Sequence, residues 1–230
     1  MGPYGRNVLL ILDFRIFSMH TAHMQIDPTK ITNFNRTDAE LQAFILFTGL
    51  IAGKNSDIAA RVLSHLLNKR KDQTPFAYLS ELGEIGIQNA LVAAKSGQYT
   101  RLTKFIMGVM KLDLRDCSFE DLTAVHGLGL KSASFFLLHS RKGWEGCVLD
   151  THILAWLRNH GVEDAPKSTP QNIKKYKELS AKWLFLSSIH FPHLSPADRD
   201  LFVWIEQSGR LDNDHSFSDR ESLTQPKKPL

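Results

Sequence analysis

The 230-residue sequence predicts an all-α fold, and three observations carry that prediction. Apolar residues recur at helical spacing through most of the chain, no segment alternates apolar and polar residues as a half-buried strand would, and the periodic segments open on recognisable N-caps. The apolar fraction of 43% and charged fraction of 23% belong to a globular chain with a substantial core, which excludes a disordered or fibrous protein.

Taken in order, the first apolar element is Val8 to Phe17, where neither period wins and helix and strand stay open. Thr37, with Glu40 three residues on, is a capping box. It opens a helix through Leu41, Phe44, Ile45, Leu46, Phe47, Leu50 and Ile51 that is apolar nearly all round and therefore central and buried. The polar stop at Gly53, Lys54, Asn55 and Ser56 leads into an amphipathic helix from Asp57 to Leu67. A charged, solvated loop with Lys69, Arg70 and Lys71 follows. Phe76 to Leu82, Ile87 to Lys95 and Tyr99 to Met110 read as three helices separated by glycine-containing turns. In the last third, Ile153 to Asn159, Ile173 to Ile189 and a segment opened by Ser195 and Pro196 are helical. Lys174, Lys175, Lys177 and Lys182 line one side of the long helix and read as a solvated face. Beyond Gly209 no apolar period survives, and residues 212 to 230 are expected to be a loosely held tail.

The net charge of +4 and an isoelectric point near 9.0 allow a basic face that tracks nucleic acid without requiring one. The only cysteines, Cys117 and Cys147, supply neither the four ligands of an iron–sulfur cluster nor a zinc box or a disulfide framework, which fits a reducing cytoplasm. No apolar run is long enough to span a bilayer and no charged leader precedes Val8, so the expectation is a cytosolic protein. Neither a metal nor a cofactor is expected; His190 and His193 have no carboxylate or cysteine at ligand spacing.

The most informative stretch runs from Ser118 to Trp156. Ser118 and Asp121 form a second capping box, and Phe119, Leu122 and Val125 give the short helix behind it an apolar face. His126, Gly127, Leu128 and Gly129 then make a tight turn in which both glycines permit positive φ and the close approach of a backbone or a phosphate. The next helix starts near Leu130, so its free N–H groups and positive dipole end lie beside those glycines as an anion site. Lys131 stands in that first turn, ahead of Ala133, Phe135, Phe136, Leu137 and Leu138. Desolvation against these residues and the helix dipole both favour the neutral amine, which is a nucleophile. Nineteen positions on, Asp150 arrives with Thr151 and His152 at the head of a third helix, placed to cap it, to stabilise a cation, or both.

Gly127-Leu128-Gly129-Leu130-Lys131-Ser132-Ala133 followed by Asp150-Thr151-His152 resembles the helix-hairpin-helix DNA glycosylase superfamily, over residues 37 to about 160. The resemblance implies two helical lobes, one from residues 36–140 ending in the hairpin and one from residues 1–35 plus 141–230 carrying the aspartate, with a DNA-binding cleft between them. It implies a monomer acting on double-stranded DNA that holds a modified base, with Lys131 as covalent catalyst, Asp150 beside it, and strand nicking after base loss. His126, Gly127, Gly129, Leu130 and His152 would meet the DNA backbone. Lys54 and Asn55 resemble the loop that wedges into the duplex, although an ordinary interhelical loop capped by Ser56 reads equally well. Phe135, Trp183 and Trp204 are candidates to stack on an extruded base, each with a place in the core as its ordinary alternative. A lysine and aspartate pair without a cluster looks most like the 8-oxoguanine branch. A hypermodified base of phage DNA is the alternative within the same chemistry, and a noncatalytic DNA-binding module or a protein-interaction domain lies outside it.

Overall fold

A computed structural model describes residues 31–53 and 56–207. Among them the chain forms nine helices and no strand: α1 Asp38–Leu50, α2 Ser56–Leu67, α3 Pro75–Ala93, α4 Tyr99–Val109, α5 Phe119–Ala124, α6 Leu130–Ser140, α7 Thr151–Asn159, α8 Ile173–His190 and α9 Pro196–Gln207. Val8 to Phe17, Lys54, Asn55 and the tail from 212 lie outside the described residues.

Both expected capping boxes are present. The Thr37 hydroxyl accepts from the Glu40 N–H while Glu40 reaches back to the Thr37 N–H, and Ser118 and Asp121 do the same at α5. These reciprocal bonds satisfy N–H groups that a helix start would otherwise leave bare, and they fix where α1 and α5 begin. The central position expected of α1 follows from its composition. Phe44, Ile45, Leu46 and Leu50 are buried on all sides, and each such side chain stabilises the fold by about 1.5–3 kcal/mol.

Two of the expected helices, Phe76 to Leu82 and Ile87 to Lys95, run on as α3 with a break between them. Gly83 takes φ +63° and ψ 179°, a non-helical conformation that separates the two helical arms across a kink. Three of the four lysines of α8 meet acids: Lys175 reaches Asp164 at 2.6 Å, Lys182 reaches Glu178 at 2.9 Å, and Lys177 crosses to Glu120 of α5 at 2.7 Å. That face is a neutralised, solvated surface. Among the described residues no helix is long and apolar enough to cross a membrane.

The buried apolar residues form two main clusters. One gathers residues of α1 to α6, including Phe44, Leu63, Leu79, Phe105 and Phe136; the other gathers Cys147, Leu149, Ile153, Leu157, Tyr176, Trp183 and Val203. Ile31 is buried in the first cluster, although the resemblance implies a place with the second lobe for residues 1–35. Helix α6 and the 141–150 segment join the two clusters, with Leu138, Val148 and Ala197 forming a small apolar contact between them.

Candidate active site

The turn between α5 and α6 uses its two glycines differently. Gly127 has φ +86°, and a Cβ there would lie 3.0 Å from Cγ of Arg101 and 3.3 Å from the Arg101 carbonyl oxygen, so conformation and space both require glycine. The Arg101 guanidinium donates to the Gly127 carbonyl at 2.7 Å and to the Gly49 carbonyl at 3.3 Å, tying the turn to the end of α1. Gly129 has an ordinary φ of −84°, so of the two glycines only Gly127 uses the positive φ that glycine permits. It is the N-cap of α6, no side chain caps that helix, and no atom lies within 4 Å of where its Cβ would stand. The first-turn N–H groups of α6 and the outer side of Gly129 therefore face open space, as an anion site requires. His126 is exposed beside the turn, whereas Leu130 is half-buried and packs on the second apolar cluster.

Lys131 extends from the first turn of α6 and is exposed. The burial expected of its amine is absent, because the apolar face of α6 turns inward at Ala133, Phe136 and Leu137, away from position 131. Asp150 is the opposite. It is 8% exposed and caps α7 through one oxygen, with Oδ1 accepting from the N–H groups of His152 and Ile153 at 2.9 Å each. Its second oxygen is not used by the cap.

The segment that delivers Asp150 is held at nearly every backbone group. The Tyr176 hydroxyl of α8 lies 3.0 Å from the Cys147 carbonyl and 2.9 Å from the Ser134 hydroxyl of α6, and accepts from the Leu149 N–H at 3.2 Å. Thr169 donates to the Leu149 carbonyl at 2.7 Å, and Asp200 of α9 accepts from the Val148 N–H at 2.9 Å. Burial pushes the Tyr176 phenol and the Cys147 thiol upward, so both stay protonated.

Sequence reasoning missed Asp200. Desolvation in its buried position drives this carboxyl well above the usual carboxylate range, the Val148 N–H pulls it back in part, and then the Asp150 carboxylate raises it and the Lys131 ammonium lowers it. Asp200 thus senses both residues, which puts the three groups in one neighbourhood. A signal for it exists in the sequence: Ala197, Asp200, Leu201 and Trp204 share one face of α9, so an acid interrupts an apolar stripe.

Of the three stacking candidates, Trp183 is corrected. It is 0% exposed, with its ring edge-on to Trp156 at 4.8 Å, so it is core and presents no face to a ligand. Phe135 lies one turn beyond Lys131 on α6, half-buried, 5.7 Å from the Phe44 ring and 4.9 Å from His139. Trp204 is half-buried and meets the half-buried His152 ring edge-on at 6.3 Å, joining α9 to the head of α7.

This arrangement of helices has solved counterparts. The 8-oxoguanine glycosylase/lyase of Methanocaldococcus jannaschii, in complex with a 15mer DNA containing 8-oxoguanine, matches 79% of this chain and 87% of its own at a TM-score of 0.60 and 18% identity. The fold is that of an 8-oxoguanine glycosylase. A second such fold, the 8-oxoguanine DNA glycosylase of Thermotoga maritima, matches 74% of this chain and 80% of its own at a TM-score of 0.52 and 24% identity. No family model matches the chain.

Proposed function

We propose that this chain is a DNA glycosylase that excises a modified base, with 8-oxoguanine as the first substrate to test, and then nicks the strand at the site it has emptied. The observation that carries the reading is the gathering of Lys131, Asp150 and buried Asp200 beside a helix start that no side chain caps. Phosphate grip alone would need the uncapped helix and its glycines; it would not need a lysine and a fixed carboxylate that both act on one buried acid.

The two helical clusters are read as lobes with the duplex bound across the groove they share. The uncapped first turn of α6 takes a backbone phosphate, with His126, Gly127 and Gly129 alongside. The target nucleotide leaves the stack and enters the space between α6 and α9, where Phe135 and Trp204 are the aromatic faces in reach. The Lys131 amine then forms a bond to C1′, and the C1′–N bond breaks with its electron pair passing to the departing base, which takes up a proton. Asp150, through the oxygen its cap leaves unused, stabilises the positive charge on the sugar and accepts a proton from the lysine nitrogen. The C1′–O4′ bond then opens with its electron pair passing to O4′, which takes up a proton, and leaves an iminium between C1′ and the lysine nitrogen; loss of a proton from C2′ of that iminium breaks the C3′–O bond and releases the 3′ phosphate. The two glycosylases of the same fold, both named for 8-oxoguanine, support that base over a hypermodified one.

The decisive experiment is borohydride trapping on end-labelled duplexes carrying 8-oxoguanine, an abasic site, a modified cytosine or no lesion, with Lys131→Gln alongside. A covalent adduct lost in the variant is expected, fastest on 8-oxoguanine. Binding without any adduct or base release would leave a noncatalytic DNA-binding protein.

A further inference from the structure

A cavity of about 180 Å³ lies at the far end of α6 from Lys131, enclosed by the start of α1, the connection between α4 and α5, and residues 140–142. Since α6 has 11 residues, that end is about 16 Å from the hairpin. Four cationic side chains line the cavity: Arg36, Arg115, Arg141 and Lys142. We propose that this cavity is a binding site for a phosphate group, separate from the hairpin and from the proposed catalytic groove.

Two of the cations are fixed in place by neutral partners. Arg36 donates to the carbonyls of Asn33, His139 and Ile31 at 2.6–2.7 Å and lies 3.9 Å over the Phe44 ring. Arg141 donates to the carbonyls of Cys117 at 2.6 Å and Leu114 at 3.3 Å. Carbonyls orient a guanidinium but do not neutralise it, so both charges persist in a partly desolvated wall. Two acids nearby meet part of this charge. Asp38 pairs with Arg115 at 2.6 Å, and Glu40, whose charge acts on Arg36, closes the capping box with Thr37. Lys142 is exposed and has no acidic partner among the described residues.

The negative end of the α6 dipole accounts for one cation there, and Arg36 on the His139 carbonyl fills that role. Of the other three, Asp38 neutralises Arg115, and Arg141 and Lys142 exceed that role. Burial lowers the Arg36 guanidinium to about 10, the mark of a cation held out of water at a cost that a bound dianion would relieve. A guanidinium in fixed orientation matches the oxygens of a phosphate, and the volume admits a phosphate with part of what carries it. Its source is either a free phosphorylated compound or the backbone of a nucleic-acid strand that reaches beyond the hairpin.

The test is thermal unfolding of the full chain in sodium phosphate against sodium chloride at equal ionic strength. It compares the native sequence with the double variant Lys142→Glu, Arg115→Gln, with Lys142→Glu alone and with Lys131→Gln. At phosphate about ten times its Kd, a rise of about 3–6 °C is expected for the native chain and for Lys131→Gln. The rise should vanish in the double variant, and the single variant should bind phosphate about five-fold more weakly. Both altered side chains are exposed, and the Lys142 side chain makes no hydrogen bond among the described residues, so Lys142→Glu keeps the test valid if the double variant fails to fold. No phosphate-specific rise, a rise unchanged in the variants, or one lost in Lys131→Gln would each overturn the proposal. The last of these would place the phosphate at the hairpin. A short and a long duplex then separate the sources: weaker binding of the long duplex alone by the double variant identifies a strand, and no change with either identifies a free compound.

Discussion

The turn at residues 126–131 and the loop at residues 147–150 carry the two groups on which the proposed chemistry rests, and they are held in opposite ways. The turn is anchored from behind by Arg101 and is otherwise open, with Lys131 exposed at its edge. The loop is buried and pinned by Thr169, Tyr176 and Asp200 from three separate parts of the chain, with Ser134 holding the Tyr176 hydroxyl. The difference follows from what each group must do. A nucleophile has to travel to a sugar carbon that arrives with the substrate, whereas a stabilising carboxylate acts best when its position is settled before the charge develops.

The largest effects are expected where that contrast is broken directly. Lys131→Gln should abolish trapping and lower base release by about 10³-fold or more, with the melting temperature unchanged because the side chain is exposed. Asp150→Asn keeps an oxygen that accepts from His152 and Ile153, so stability should hold while single-turnover base release falls by about 10²–10³-fold. Asp150→Ala should lose about 1 kcal/mol of stability in addition, since α7 then has no cap. Equal stability of the Asn and Ala variants would remove capping from the role of Asp150.

The glycines give a sharper version. Gly127→Ala places a methyl at positive φ against Arg101, and should cost about 1–3 kcal/mol in chemical denaturation. Gly129→Ala meets neither strain nor neighbour, and should leave stability intact while weakening duplex binding, because the methyl projects toward the path of a phosphate. Identical losses of stability in the two variants would contradict the asymmetry. Within the loop, Tyr176→Phe leaves the Leu149 N–H without its partner and should cost about 1–3 kcal/mol. It should also lower the rate of base release with little change in duplex affinity.

The helix starts were legible in the sequence because their causes are local. Thr37 with Glu40, Ser118 with Asp121, and Asp150 ahead of α7 each satisfy N–H groups within three residues of themselves. The exposure of Lys131 was not legible, since apolar neighbours in sequence say that a helix is buried without saying which face. Nor were the supports of the loop. Tyr176 and Asp200 follow Leu149 and Val148 by 27 and 52 residues, and only the packing of α8 and α9 brings them there. Trp183 was misread for the same reason: an aromatic residue on a helix is core or pocket wall according to what covers it.

The smallest effect concerns pH, and it separates two buried groups of opposite sign. His139, in the last turn of α6, is lowered by burial and then by Arg36 to about 3, so it is neutral in the folded chain. The unfolded chain binds the extra proton below about pH 6.5, and stability from this group is therefore lost as pH falls from there toward 3. Asp200 is raised, so the folded chain keeps a proton that the unfolded chain releases above its ordinary value of 3.8. Its contribution is full below that pH and declines as pH rises toward the folded value. Asp200→Asn mimics the protonated acid and still accepts from the Val148 N–H through its amide oxygen. The melting temperature of this variant should match the native chain near pH 4 and exceed it by a growing margin as pH rises. A margin that stays constant with pH would mean that Asp200 is ionised in the folded chain, in which case a third charge faces Lys131 and the loop is set by charge instead of by neutral hydrogen bonds.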